Sequence, residues 1–363
     1  MYADGPADRP CAGERRVRGM RGTDRTDAVK TAVKCGLAAA AAALLLFVVP
    51  MPYVLYEPGK VVPVGELVTA GGAEAAERGP SPEPGREGEW LLTTVYLEPR
   101  ATLWQVIESL WREDREAHSK RAVFGGSGAS AYKARMDALM AESQSRATEA
   151  AYRLAGVRYE TWPDGVVVAR GAGGLEAGDR IVAVNGAAVD GLAALEQALR
   201  AAGREAELTV RRGGREIAVR ADAERDGAEA ASGRLGGAEL IEIRAVRPED
   251  PGLRVTMNAG DFAGPSAGLA LALHIYERLA GETLTGGRRI AATGTIEPSG
   301  AVGAVGGVGL KAIAASRAGA GLFLVPEANA AEAAAAAKAA GGGMAVAGVR
   351  SLEEAVALLR AAC

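Results

Sequence analysis

The chain has 363 residues, 48% of them apolar and 24% charged, a balance that excludes wholesale disorder and allows two or three domains. Its net charge of −3 offers no electrostatic basis for nucleic acid as a partner. Three widely spaced cysteines (Cys11, Cys35, Cys363) and two histidines exclude a disulfide framework and leave no spacing for a metal site, so neither metal nor cofactor is expected.

From Cys35 to Tyr56 no residue is charged, and Ala38 to Val49 is continuous Ala, Leu, Phe and Val. The expected organisation is a cytoplasmic basic tail over 1–34 and a transmembrane helix over 35–55. Arg15, Arg16, Arg18, Arg21, Arg25, Lys30 and Lys34 precede the span, whereas Lys60 is the sole basic residue of the next twenty. This asymmetry puts the N-terminus in the cytoplasm and the rest outside a cell membrane, in contact with lipid through one helix. A cleaved signal peptide competes, but the exit through Val-Val-Pro-Met-Pro-Tyr-Val-Leu-Tyr has no small-x-small pair and stays apolar past its prolines. A soluble cytoplasmic protein would require that the span not insert.

Residues 56–155 are expected as an extracytoplasmic linker and helical segment. Gly71 to Glu89 is rich in Gly, Pro and Glu and cannot bury a core, Trp90 to Leu97 is strand-like, and Pro99 ends it. Thr102 can cap a helix whose Leu103, Val106, Ile107, Leu110 and Trp111 keep the helical period. After a break at Gly125 to Ser130, a second helix runs from about Tyr132 to Ala155, with Met136, Leu139, Met140 and Ser143 on one face. No chemistry is expected of it.

Over 156–228 the pattern turns to short strands: Val166 to Ala169, Ile181 to Val184, a turn at Asn185-Gly186, a helix over Leu192 to Ala201, and a hairpin over Leu208 to Val219. The stretch Leu175-Glu-Ala-Gly-Asp-Arg-Ile-Val-Ala-Val-Asn-Gly-Ala-Ala-Val189 resembles the PDZ domains of bacterial proteases. That resemblance implies a small β-rich domain that captures peptides, here through Val166, Val167, Val168 and Leu175. Between Val168 and Leu175 the chain has only Ala-Arg-Gly-Ala-Gly-Gly, shorter than is usual in the family and without its Ser-Pro-Ala-like turn, so a purely structural PDZ fold is the alternative.

Residues 229–363 hold Gly264-Pro265-Ser266-Ala267-Gly268 before an apolar helix, then Ala-Ala-Thr293-Gly-Thr, then Gly306-Gly307-Val-Gly-Leu-Lys311. A serine hydroxyl needs a base, and with so few histidines a lysine made neutral by an apolar pocket can serve. Lys311 has apolar flanks and no acid within ten residues on either side. His274, eight residues past Ser266 and about 12 Å along the same helix, is out of reach. His118 lies among charges. If the helix after Ser266 starts there, its free N–H groups can supply an oxyanion hole. The bland alternatives are that Ser266 only caps that helix and that Lys311 lies on the surface.

The ordered set of motifs resembles the proteolytic domain of Lon proteases, over about Leu235 to Leu359. With the anchor and the PDZ pattern, the architecture resembles bacterial membrane-anchored, PDZ-containing Lon-like serine proteases. The resemblance implies a multidomain α+β chain with a C-terminal α/β proteolytic domain and a catalytic pair Ser266 and Lys311. Thr293, Gly264, Pro265, Ala267, Gly306 and Gly307 would support that pair. Many ATP-dependent members carry an acid three residues before the serine; here Ala263 stands there, and for Asp261, two residues earlier, capping or ordering of the loop is as good a reading as that acid's role. No GxxxxGK[ST] occurs, so no ATP is expected. The expected function is an ATP-independent serine endopeptidase for peptides or small unfolded proteins. The alternative is a non-catalytic PDZ adaptor on a degenerate protease fold. Homo-oligomerisation is left open.

Overall fold

In the computed structural model, residues 22–70, 88–258 and 260–361 are described. The basic residues up to Arg21 and most of the Gly/Pro/Glu segment lie outside them, as do Cys11 and Cys363. Helix α1 (Gly22–Phe47) includes a largely apolar stretch, Thr26–Phe47, of 22 residues with mean hydropathy 1.7 that is not buried in the rest of the protein. It is long and apolar enough to cross a membrane, at about 1.5 Å per residue against a hydrocarbon core of roughly 30 Å.

The helix differs from the expected 35–55 span at both ends. Pro50 and Pro52 cannot continue it, and the chain turns directly into strand β1 (Tyr53–Pro63). Val54 and Leu55 are fully buried in that strand. The apolar residues past the prolines therefore serve the sheet. At the other end the helix takes in Lys30 and Lys34, whose long stems can lie along apolar surface while their amines reach water.

The remaining strands in chain order are β2 (Val68–Ala70), β3 (Glu89–Glu98), β4 (Glu116–Ser119), β5 (Tyr159–Arg170), β6 (Arg180–Val184), β7 (Ala187–Ala188), β8 (Glu205–Arg212), β9 (Arg215–Asp222), β10 (Arg234–Leu235), β11 (Ala238–Pro248), β12 (Val255–Met257), β13 (Arg289–Ala292), β14 (Thr295–Ile296), β15 (Val302–Gly303), β16 (Leu322–Pro326) and β17 (Ala345–Val349). The helices after α1 are α2 (Leu103–Glu108), α3 (Lys120–Phe124), α4 (Gly128–Leu154), α5 (Leu192–Ala202), α6 (Ala223–Ala230), α7 (Gly268–Ala280), α8 (Val308–Arg317), α9 (Ala330–Ala339) and α10 (Leu352–Ala361).

A six-stranded mixed sheet has the order β17-β16-β13-β3-β1-β4, parallel from β17 to β3 and antiparallel beyond. Period-two alternation sends its apolar residues to both faces. Leu92, Ile290, Ala292 and Leu324 pack with α7, α10 and the C-terminal half of α4. Leu91, Ala291, Phe323 and Val325 pack against the alanine-rich helices α8 and α9. The stretch 56–155, expected as linker and helices with one strand over Trp90 to Leu97, supplies that strand as β3 and also most of β1 and all of β4 to the sheet that holds β13 and β16. Without these strands Leu91 and Leu92 would leave both layers of core.

The second sheet has seven strands, in the order β10-β11-β5-β6-β8-β9 with β7 on β6. Asn185 and Gly186, both with positive φ (49° and 80°), make the expected tight turn. Asp179 of the Gly-Asp pair is fully buried, receives both Nε and Nη2 of Arg212 at 2.7 and 2.6 Å, and accepts the Glu176 N–H. Strands β10 and β11 join this sheet from beyond residue 229, the expected domain boundary.

The expected peptide strand is corrected by the pairing. Val166 and Val167 pair with β6 on one side, while Val166, Val167 and Val168 pair with β11 on the other. Val166 and Val168 are wholly buried, and Leu175 is 6% exposed in the same core. A peptide cannot add to a strand whose two edges are already filled.

Candidate active site

Thr293 follows β13 directly, Ser266 lies in a 3-10 turn (Pro265–Ala267) that runs into α7, and Lys311 sits in the first turns of α8. The three come from separate elements and meet at the carboxyl ends of the parallel strands, where open α/β sheets generally form their sites.

Lys311 is 3% exposed, and its Nζ donates to Thr293 Oγ1 at 3.1 Å. Burial alone pulls its pKa from 10.5 down to about 8, because the charged ammonium loses its water. Thr293 is fully buried, and its hydroxyl donates to the Ser266 carbonyl at 3.1 Å. The same carbonyl accepts the Gly294 N–H at 2.9 Å, and the Leu269 N–H donates back to Gly294 O at 3.0 Å. The nucleophile turn and the Thr-Gly segment are thereby clasped together.

Among the described residues no hydrogen bond joins Ser266 Oγ to Lys311; Thr293 stands between them. The Ser266 side chain forms no cap bond for α7, and Lys311 is not on the surface, which excludes both bland alternatives. The expected oxyanion donors on the helix itself are spent. Gly268 N–H donates to Pro265 O, and Leu269 N–H to Gly294 O. The Ser266 N–H is the one that finds no protein acceptor among the described residues.

Of the expected supporting residues, Gly264 takes φ +98°, and Pro265 opens the 3-10 turn. Ala267 is 3% exposed in the core under α7. Gly307 has φ +63° and starts α8 against Val95, which lies 3.0 Å from where its Cβ would be. Gly306 has open space around it, so only the second glycine of that pair is required by conformation.

Asp261 is exposed and lies near Lys133, away from the Lys311 amine. His274 is half-buried and held neutral, its pKa pushed down to about 4 by desolvation and by Arg278. His118 pairs with Glu116 at 3.0 Å and packs on Tyr56. Neither imidazole hydrogen-bonds Ser266.

Sequence reasoning missed the part played by α4. Ser143, 3% exposed, donates to Pro265 O at 3.1 Å, and the Met136 carbonyl accepts the Gly264 N–H at 2.8 Å. Both residues that flank Ser266 on its N-terminal side are therefore held by a helix more than a hundred residues earlier. It also missed Asn329, whose side-chain amide bonds both backbone groups of Val305 (2.9 and 3.1 Å) in the loop before α8. The one signal available was a serine on the apolar face of α4.

A serine on a tight turn beside a buried, deprotonatable lysine is the equipment of a serine peptidase. Residues 249–361 match the Lon protease (S16) C-terminal proteolytic domain, and residues 168–212 match a PDZ domain. The chain thus carries a Lon-type serine peptidase domain joined to a PDZ domain. No curated protein matches the chain.

Proposed function

We propose that the protein is a membrane-anchored, ATP-independent endopeptidase working on the outer face, with Ser266 as nucleophile and Lys311 as base. The observation that carries this reading is the buried Lys311 amine on Thr293 Oγ1. A threonine hydroxyl has one proton, and Thr293 gives it to the Ser266 carbonyl, so it can only accept from Lys311. The lone pair of the neutral amine is then left for the Ser266 hydroxyl.

In the reaction, a side-chain rotation brings Ser266 Oγ to that lone pair. Oγ attacks the scissile carbonyl as its proton passes to Lys311 Nζ, and the Ser266 N–H donates to the oxyanion. Lys311 then protonates the leaving amine. A water molecule, deprotonated by the same amine, hydrolyses the acyl-enzyme and returns the proton to Ser266. Substrates are peptides or flexible segments, a reading supported by a sequence that contains no P-loop motif.

For peptide entry, the outer edge of β11 replaces Val166 to Val168. Past Leu240 that edge has no strand partner among the described residues. It borders a cavity of about 380 Å³ whose other walls include Leu192 of α5, Glu142 and Arg146 of α4, and Glu297 beyond β14. The cavity thus reaches from the PDZ sheet to α4 and the segment that follows β14.

A fluorophosphonate probe tests the assignment. It should label the wild-type protein and not Ser266→Ala, and peptide cleavage should vanish with the label. Unlabelled wild-type protein that still binds peptides would establish the adaptor function instead.

A further inference from the structure

The stripe Leu103, Val106, Ile107, Leu110 and Trp111, expected to face a core, is only partly covered. Helix α2 stops at Glu108, and Leu110 and Trp111 emerge 82% and 60% exposed, beside Trp104 at 38%. Their position relative to the anchor is fixed. Phe47, the last residue of α1, packs on Trp104 with ring centroids 5.6 Å apart, and Trp104 packs edge-on to Trp111 at 6.0 Å. The backbone is tied at the same level: Met51 N–H donates to Ala101 O at 2.7 Å, Pro50 bridges to Thr102, and Lys120 N–H donates to Pro52 O at 3.0 Å.

We propose that Trp104, Leu110 and Trp111 form a foot that lies in the headgroup–acyl boundary of the bilayer, a second membrane contact beside the spanning helix. This rests on the anchored reading above. A helix of the length of Thr26–Phe47 fills the hydrocarbon core, so Phe47 ends at the boundary and the indoles packed on it share that depth. Indole rings favour that layer because an apolar body and one N–H suit a place that is greasy on one side and wet on the other. Two of the charges that follow Trp111, Arg112 and Asp114, are paired, while Glu113 beside them is exposed to water. Arg112 binds Asp114 at 2.8 Å and Glu108 at 3.2 Å, and Asp114 also receives Arg317 at 2.7 Å. The foot would thus hold β1, and with it the peptidase sheet, in one orientation over the membrane.

The test uses the full chain in phosphatidylcholine vesicles whose acyl chains are brominated either near the headgroup or near the methyl end. Of the four tryptophans, Trp90 is 3% exposed and Trp162 lies in β5 under Arg247, so lipid-dependent quenching reports on Trp104 and Trp111. Bromines near the headgroup should quench more than those near the methyl end. Trp104→Phe/Trp111→Phe should lose most of that quenching while retaining probe labelling at Ser266.

Equal quenching in the variant, or emission that ignores brominated lipid and follows protein density because a second copy covers the patch, would overturn the foot. Alkaline extraction separates the two levels. A chain that stays in the vesicles but shows no such quenching leaves the anchor standing and removes the foot, whereas a chain released from the vesicles removes both.

Discussion

Replacing Lys311 by Met separates the chemical role of the amine from its structural cost. The lysine titrates near 8 in the folded protein against 10.5 for the free side chain, a difference of about 3 kcal/mol. Above about 10.5 both folded and unfolded chains carry a neutral amine, and the group contributes nothing. Between about 8 and 10.5 the unfolded chain holds a proton that the folded chain lacks, so stability rises with pH through this window. Below about 8 the folded protein holds an ammonium in a dry pocket, and the full penalty applies. Methionine has nearly the same length and no charge. Lys311→Met should therefore be more stable than the wild type at pH 7 by about 2 kcal/mol, after about 1 kcal/mol is subtracted for the lost bond to Thr293. The gain should shrink and then reverse sign as pH approaches 10.5. Urea unfolding followed by circular dichroism between pH 6 and 10 measures this, and peptide cleavage on the same samples should be absent throughout. In the wild type, about a tenth of the amine is neutral at pH 7 and about nine tenths at pH 9, so turnover should rise nearly tenfold across that interval. A wild type with no stability gain between pH 8 and 10, together with a destabilised Met variant, would refute the buried-amine reasoning. Lys311→Arg should be inactive as well, since guanidinium cannot give up its proton at a working pH.

The other expectations concern the supports of the site. Ser143→Ala removes the bond to Pro265 O and should lower kcat, with a stability loss of about 1 kcal/mol by urea titration, although Ser143 lies far from Ser266 in sequence. Gly268→Ala places a methyl 2.7 Å from Ile296 Cγ2 and 3.0 Å from its backbone N, and should cost about 1–3 kcal/mol and most of the activity. Arg212→Ala strands the buried Asp179 carboxylate and should cost about 3–5 kcal/mol, read as early loss of hydrogen-exchange protection in β6 and β8; cleavage of short peptides should survive if the peptidase sheet folds independently.

Local pattern was sufficient for most elements and for choosing the candidate residues. The apolar period and Thr102 mark the start of α2, and Asn185-Gly186 marks the turn between β6 and β7, because these features are decided within a few residues. Ser266 and Lys311 stood out as candidates because a nucleophile between small residues and a lysine among apolar ones are themselves unusual pairings of residue and surroundings, whereas Thr293 came only with the family resemblance. The depth of the Lys311 pocket was not legible, since its desolvation comes from the packed layers around α8, which no single segment specifies.

Tertiary structure alone decided the rest. Whether Val54 and Leu55 continue a span or enter a sheet depends on partner strands, β3 and β4, that lie far along the chain. Val166 to Val168 read equally well as an open or a closed strand until β11 arrived from beyond the expected boundary. Ser143 and Met136 belong to the nucleophile turn only because α4 crosses it, and hydrogen bonds between distant segments leave no periodicity in the sequence that contains them.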